Sequence, residues 1–252
     1  MVKKLFIFDV GGTLRDDSYA CYEGYRLGFE RARVTSRFTL EEVWRLRGIG
    51  KYNRSTNCIK ALLAFAKSKK RIGGALASDD PERYIDGILD EVLDDQDELL
   101  AKTILAARGD FMDSDQAIGT MKLYPMVNEA LENLVEAGHA LAVLSNISDL
   151  DALKKSLGDL DVSVFSAMLS AGQVKEKKPS GAGILAVSED LGFDMGNVYY
   201  VGDTQVDVSA SRNAGCRAIS VLTGMGTRRI LELSRPDLIF DDVYSMSIFF
   251  QK

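Results

Sequence analysis

Short apolar runs that end on polar tips alternate with amphipathic stretches along much of this chain, the signature of parallel strands joined by helices. The first run, Leu5-Phe6-Ile7-Phe8, stops at Asp9 and is followed by Val10-Gly11-Gly12-Thr13-Leu14. It predicts a buried strand with a carboxylate at its carboxyl end and a tight glycine turn beyond. From about Tyr124 the alternation becomes regular. Val127 to Ala137 has helical spacing and stops at Gly138, and His139 to Leu144 reads as a strand with Ser145-Asn146 at its tip. Asp149 to Leu157 predicts a helix, Val162 to Met168 a short strand, and Ala182 to Leu191 a helix closed by Gly192. Asn197 to Val201 reads as a strand ending in Gly202-Asp203, and Val206 to Ala214 as a helix stopped by Gly215. Arg217 to Leu222 and Leu238 to Phe240 read as the last strands.

Between the first strand and this region the pattern changes. Tyr22 to Arg33, Leu40 to Leu46, Ser55 to Lys67 and the acidic stretch Pro81 to Arg108 carry helical periodicity with almost no strand signal. Residues 17–121 are therefore expected to form a helical module, with Trp44 packed inside it. It is inserted into an α/β domain made of residues 1–16 and 122–252.

Composition narrows the function. With 252 residues and a net charge of −6, the chain has material for one large or two modest domains and no broad basic surface for nucleic acid. Its one basic cluster, Lys67, Lys69, Lys70 and Arg71, reads as a solvated helix end. Cys21, Cys58 and Cys216 are odd in number and widely spaced, which argues against a disulfide framework or a structural zinc site and fits a reducing cytoplasm. Lys3 and Lys4 precede an apolar segment too short for a signal peptide or a membrane span. His139 is the only histidine, so mechanisms that need a histidine cluster are excluded, and its place after Gly138 suggests a structural or C-cap role. Oligomeric state leaves no signature in the sequence.

The candidate chemistry lies where the strands end. Asp9 with its Gly-Gly-Thr turn, Ser145-Asn146, Lys178-Pro179, and Gly202-Asp203-Thr204 with Asp207 one helical turn later would meet at one edge of a parallel sheet. Together they supply a nucleophile, a neutral phosphate donor, a cation and a second metal-binding carboxylate. That set suits phosphoryl transfer: a carboxylate attacking a dianionic phosphate needs Mg²⁺ on oxygen ligands and a cation on the phosphoryl oxygens. Ser145 and the amides of Gly12 and Thr13 are expected to donate hydrogen bonds to the phosphate.

These segments, with Asn213-Ala214-Gly215, resemble the haloacid dehalogenase (HAD) superfamily in its helical-cap subclass. The resemblance implies a doubly wound, Rossmann-like parallel-sheet core with an inserted α-helical cap, and a Mg²⁺-dependent phosphohydrolase acting on a small phosphorylated metabolite. It makes Asp9 the aspartyl-phosphate nucleophile, gives phosphate binding to Gly12, Thr13, Ser145, Asn146 and Lys178, and gives metal binding to Asp9, the Gly11 carbonyl and Asp203. Asp207 is expected to be a further metal-site residue that orients Lys178 or a metal-bound water. One position departs from the family's phosphatases, whose second aspartate, two residues after the nucleophile, protonates the leaving group. Here it is Gly11, which points to activated acyl or aryl phosphates, with Asp16 and Asp17 as the nearest carboxylates in sequence.

Two further readings share these residues. The family's phosphonoacetaldehyde hydrolases also lack the second aspartate and use a cap lysine, a role open here to Lys51 in Arg47-Gly48-Ile49-Gly50-Lys51. A non-catalytic phosphate-binding protein would keep Asp9, Lys178 and Asp203 without turnover. On either enzymatic reading, Arg47, Lys51, Tyr52 and Arg54 are the expected cap contacts to the non-phosphate part of the substrate.

Overall fold

The run Leu5–Phe8 forms β1, and its four side chains are all buried, which requires apolar layers on both faces of the sheet. In the computed structural model, which describes residues 2–147 and 149–251, the chain divides into two compact units. One is Met1–Asp16 with Lys122–Lys252, and the other is Asp17–Met121.

After β1 comes a two-residue strand, β2 (Arg15–Asp16), and then the helical unit. Its helices are α1 (Ser18–Arg31), α2 (Leu40–Arg47), α3 (Ser55–Ser68), α4 (Ile72–Ala77), α5 (Pro81–Val92), α6 (Asp95–Met112) and α7 (Asp115–Thr120). The acidic stretch from Pro81 is two helices, because Asp94 accepts from the Gln96 amide and Asp97 caps back onto the Asp94 amide, restarting the chain as a new N-terminus. Trp44 is buried within this unit.

The chain returns as β3 (Lys122–Leu123), antiparallel to β2. There follow α8 (Val127–Glu136), β4 (Ala140–Leu144), α9 (Leu150–Ser156), β5 (Ala167–Leu169), α10 (Ala182–Asp190) and β6 (Val198–Gly202). The remaining elements are α11 (Gln205–Ala214), β7 (Arg217–Val221), α12 (Arg228–Ser234), β8 (Leu238–Phe240) and α13 (Val243–Phe250). The strand expected over Val162 to Met168 begins only at Ala167. Asp161 accepts a hydrogen bond from the Ser163 amide at 2.9 Å and turns Val162–Val164 into a short 3-10 helix, a local bond that competes with extension.

The main sheet has the order β5-β4-β1-β6-β7-β8 with every pairing parallel. Alternation along β1 sends Phe6 and Phe8 into a core with Leu131, Leu153 and Met246, and Leu5 and Ile7 into a core with Ile184, Val187 and Ala210. Each fully buried large side chain of this kind contributes ~1.5–3 kcal/mol. The chain runs outward from β1 on one side and restarts beside it with β6 on the other. The carboxyl ends of β1 and β6 therefore flank the topological switch point, where such sheets bind ligands. Among the described residues no helix is long and apolar enough to cross a membrane.

Candidate active site

At that switch point stand Asp9, one residue past β1, and Asp203, one residue past β6. The Asp9 amide donates to the Val201 carbonyl at 2.9 Å, which fixes its backbone to the neighbouring strand. Its Oδ1 accepts from Lys178 Nζ at 2.7 Å, and the same ammonium donates to Asp207 Oδ1 at 2.8 Å. Burial pushes the Asp9 carboxyl up while Lys178 opposes it, leaving a pKa of about 6. Burial also pulls on the Lys178 ammonium, but the Asp207 and Asp9 carboxylates outweigh it and hold the group charged, well above the ordinary lysine range.

Asp207 is positioned by its own helix. Its Oδ2 accepts from the Thr204 amide at 3.0 Å and from Thr204 Oγ1 at 2.6 Å, completing a capping box at the start of α11. Both of its oxygens are thus committed, one to the helix start and one to Lys178. Of the two roles expected for it, metal binding and orientation of Lys178, the geometry displays the second. A Cβ on Gly202 would come 2.4 Å from Asp207 Cβ, so only glycine lets the strand end lie against this carboxylate.

Asp203 is 1% exposed, and burial followed by the nearby charges of Asp207 and Asp9 raises its pKa well above the carboxylate range. It is held by a loop the sequence reading did not single out. The Met225 amide donates to Asp203 Oδ2 at 2.7 Å and the Gly226 amide to its backbone carbonyl at 3.1 Å. A Cβ on Gly224 would lie 1.9 Å from Oδ2, and one on Gly12 would lie 2.3 Å from it. Gly12 also has φ +79, and its carbonyl accepts from Thr223 Oγ1 at 2.7 Å. The Gly-Met-Gly spacing just after β7 was the available signal, because paired glycines in a loop mark close backbone approach.

The expected phosphate donors are placed differently from the expectation. The Gly12 amide donates to the Arg15 carbonyl at 2.8 Å and the Thr13 amide to the Val10 carbonyl at 3.2 Å, so both are spent inside the turn. What Thr13 offers is its hydroxyl, which is buried without a hydrogen-bond partner. Ser145 is buried at the end of β4, with its Oγ accepting from the Ile147 amide at 3.3 Å, and its hydroxyl hydrogen is available to a ligand. Asn146 is exposed, and its Oδ1 accepts from the Lys178 amide at 3.3 Å, which ties the lysine loop to the tip of β4.

Asp9, Asp203 and Asp207 place carboxylate oxygens within 4.8 Å of one another. Asp203 and Asp207 are buried and Asp9 partly so, the one ammonium bonds only Asp9 and Asp207, and such a set of oxygen ligands fits a hard divalent cation. The Gly11 carbonyl accepts no hydrogen bond among the described residues. Asp16 is exposed on the β2–β3 ribbon, and Asp17 stands at the N-cap position of α1.

In the helical unit, Lys51 Nζ forms an ion pair with Asp86 at 2.7 Å, and the Tyr52 hydroxyl donates to the other oxygen of Asp86 at 2.6 Å. Lys51 is exposed in this pairing, and so is Arg54. Arg47 is partly buried and donates from Nη1 to Cys21 Sγ at 3.0 Å.

The model of the haloacid dehalogenase-like hydrolases matches residues 6–221. The chain belongs to that family. It is 36% identical over 121 residues to a phosphoglycolate phosphatase of Neisseria meningitidis serogroup A, a match covering 46% of this chain and 51% of that protein. It is 31% identical over 136 residues to a phosphoglycolate phosphatase of Haemophilus influenzae, covering 54% of this chain and 60% of that one. The chain thus spans about half the length of the curated relatives it matches. Among solved structures, a predicted phosphoglycolate phosphatase from Haemophilus somnus superposes with a TM-score of 0.70 at 22% identity, covering 98% of this chain and 97% of that one. A HAD-like family hydrolase from Streptococcus pneumoniae does so at 0.67 and 15% identity, covering 98% of each chain. Identities this low speak for the HAD fold and leave the chemistry to the site.

Proposed function

We propose that this HAD-like protein is a Mg²⁺-dependent phosphohydrolase that acts through an aspartyl-phosphate on Asp9. The observation that carries the reading is the buried Asp9–Lys178–Asp207 chain beside Asp203. It holds the Lys178 ammonium 2.7 Å from the Asp9 carboxylate just past β1 and 2.8 Å from Asp207. The phosphatase names of the relatives point the same way.

In this reading an Asp9 carboxylate oxygen attacks phosphorus, and the leaving oxygen departs with the electron pair of the broken P–O bond. Water then attacks the acyl-phosphate and releases inorganic phosphate, which restores Asp9. Lys178 neutralises a phosphoryl oxygen, while the Ser145 and Thr13 hydroxyls donate to the others. Asp207 keeps Lys178 charged and in place. Asp9, Asp203 and the Gly11 carbonyl would hold Mg²⁺, which screens the incoming phosphate from the carboxylates. The helical unit acts as a cap that selects the substrate.

At Gly11 no carboxyl is available to protonate the leaving oxygen. General acid–base assistance is worth ~10²–10⁴ in rate, so the substrates favoured are small acyl or aryl phosphates, whose leaving groups depart as anions. The test is phosphate release from acetyl phosphate and p-nitrophenyl phosphate with Mg²⁺ or EDTA, for the native chain and Asp9→Asn. Metal-dependent release that Asp9→Asn abolishes supports the reading. Release that survives either EDTA or the substitution overturns it.

A further inference from the structure

Within the helical unit, α1 and α6 approach closely because two glycines permit it. A Cβ on Gly28 would lie 2.7 Å from the Ile104 carbonyl oxygen, and one on Gly24 would lie 3.1 Å from Arg108 Cγ. The approach lays the Arg108 guanidinium over the Tyr25 ring, 4.8 Å from its centroid. Arg47 arrives at the same place from the last turn of α2. Its Nη1 contacts Cys21 Sγ, and its Nη2 donates to the Asn53 carbonyl at 2.9 Å.

Among the described residues, two guanidiniums are thereby gathered around the Cys21 sulfur with no carboxylate against either. Arg31, Arg45, Lys51, Lys60, Lys67 and Lys70 of the same unit each sit against a carboxylate. Arg47 and Arg108 have no carboxylate partner among the described residues, although their Nε atoms are buried and without an acceptor. The Tyr25 hydroxyl beside them is also buried without a hydrogen-bond partner. Burial pushes the Cys58 thiol up to about 12 and raises the Tyr25 phenol, so neither of these supplies a negative charge. An arginine cannot escape burial by losing its proton, and unpaired buried charge is costly. Other cations of the unit, such as Arg37 and Arg54, are exposed to water; what sets Arg47 and Arg108 apart is that each keeps a buried Nε without an acceptor.

We propose that Arg47, Arg108 and Tyr25 form an oxyanion-binding site inside the helical unit, taking a carboxylate or phosphate group. Two planar forks and one hydroxyl match the geometry of such a group. The site lies wholly within the helical unit and does not depend on the phosphatase reading of Asp9.

The test is thermal unfolding of the full chain in EDTA, titrated with sodium acetate or inorganic phosphate against sodium chloride at equal ionic strength. Acetate or phosphate is expected to raise the Tm beyond chloride. Arg47→Lys keeps the charge but loses the fork, and it should shift the half-maximal concentration upward by ~10-fold or more. Arg108→Met should abolish the part of the response that Arg47→Lys weakens, and Arg37→Met, exposed on the same unit, should leave the whole response unchanged. Reading each anion as the difference between native chain and Arg47→Lys removes any binding at Lys178. An equal response to chloride, or an unchanged midpoint in Arg47→Lys, overturns the proposal, and that variant decides if Arg108→Met fails to fold.

Discussion

Asp9 and Asp207 both hold Lys178, yet removing their charges is expected to move stability in opposite directions. The Asp9 pKa rises from 3.8 to about 6 on folding. Its ionisation therefore costs nothing below about pH 4, and the full cost is present only once pH has passed about 6. Asp9→Asn should stabilise the metal-free protein by about 1–3 kcal/mol near pH 8 and by little near pH 4. Asp207→Asn removes a capping acceptor and the most buried partner of Lys178, and should cost about 3–5 kcal/mol. Urea unfolding of both variants in EDTA at the two pH values checks the pair; equal signs would show that Lys178 treats the two carboxylates alike. Asp9, Ser145, Lys178 and Asp203 were legible because each stands out in polarity at the end of an apolar run or in the loop beyond it. The Thr223–Gly226 loop that grips Asp203 was not, since backbone amides carry no sequence signal and only the glycines hinted at it.

At the scale of elements, regular alternation made β1, β4, β6, β7 and β8 readable, but local bonds and sparse patterns hid others. β2 and β3 are two residues each, too short to show a period. The helix α13, Val-Tyr-Ser-Met-Ser-Ile-Phe-Phe, alternates like a strand; Asp242 starts it by accepting from the Ser245 amide at 2.6 Å. His139 ties this helix to the sheet, because its ring bonds the Lys4 amide and the Phe250 carbonyl, each at 3.3 Å. Burial, followed by nearby Lys4, lowers its pKa against the opposing Phe250 bond. The neutral ring's contribution is therefore present above about pH 6.5 and is lost as pH falls through the depressed folded value. As pH falls below about 6.5 the native chain should lose stability that His139→Gln does not, as urea midpoints would show. Helix packing offers a separate contrast. Gly28→Ala must push against the Ile104 backbone and should cost about 1–3 kcal/mol. Gly87, in α5 with nothing within 4 Å of a Cβ, should gain about 0.5–1 kcal/mol as alanine.

For the whole molecule, the parallel sheet brings Asp9, Ser145, Lys178 and Asp203 together from segments far apart in sequence, and that convergence follows from topology alone. On the proposed function one residue, Gly11, would set which substrates such a site can open. Gly11 does not hold a positive φ, so its backbone can accept a side chain. On the proposed function, Gly11→Asp adds a carboxyl two residues after the nucleophile, able to protonate an alkoxide leaving group. It should raise kcat/KM on a simple alkyl phosphate by ~10²-fold or more. Acetyl phosphate, whose leaving carboxylate needs no proton, should change by only a few fold, since the step that gains an acid is not limiting there. A uniform gain across both substrates would mean that the new carboxylate acts on the water step or on the metal instead. No gain on the alkyl phosphate would place the limit on that substrate elsewhere than at leaving-group protonation. Comparing the two substrates in steady state, with Asp9→Asn added to Gly11→Asp as the blank, therefore tests whether the missing acid sets the substrate range.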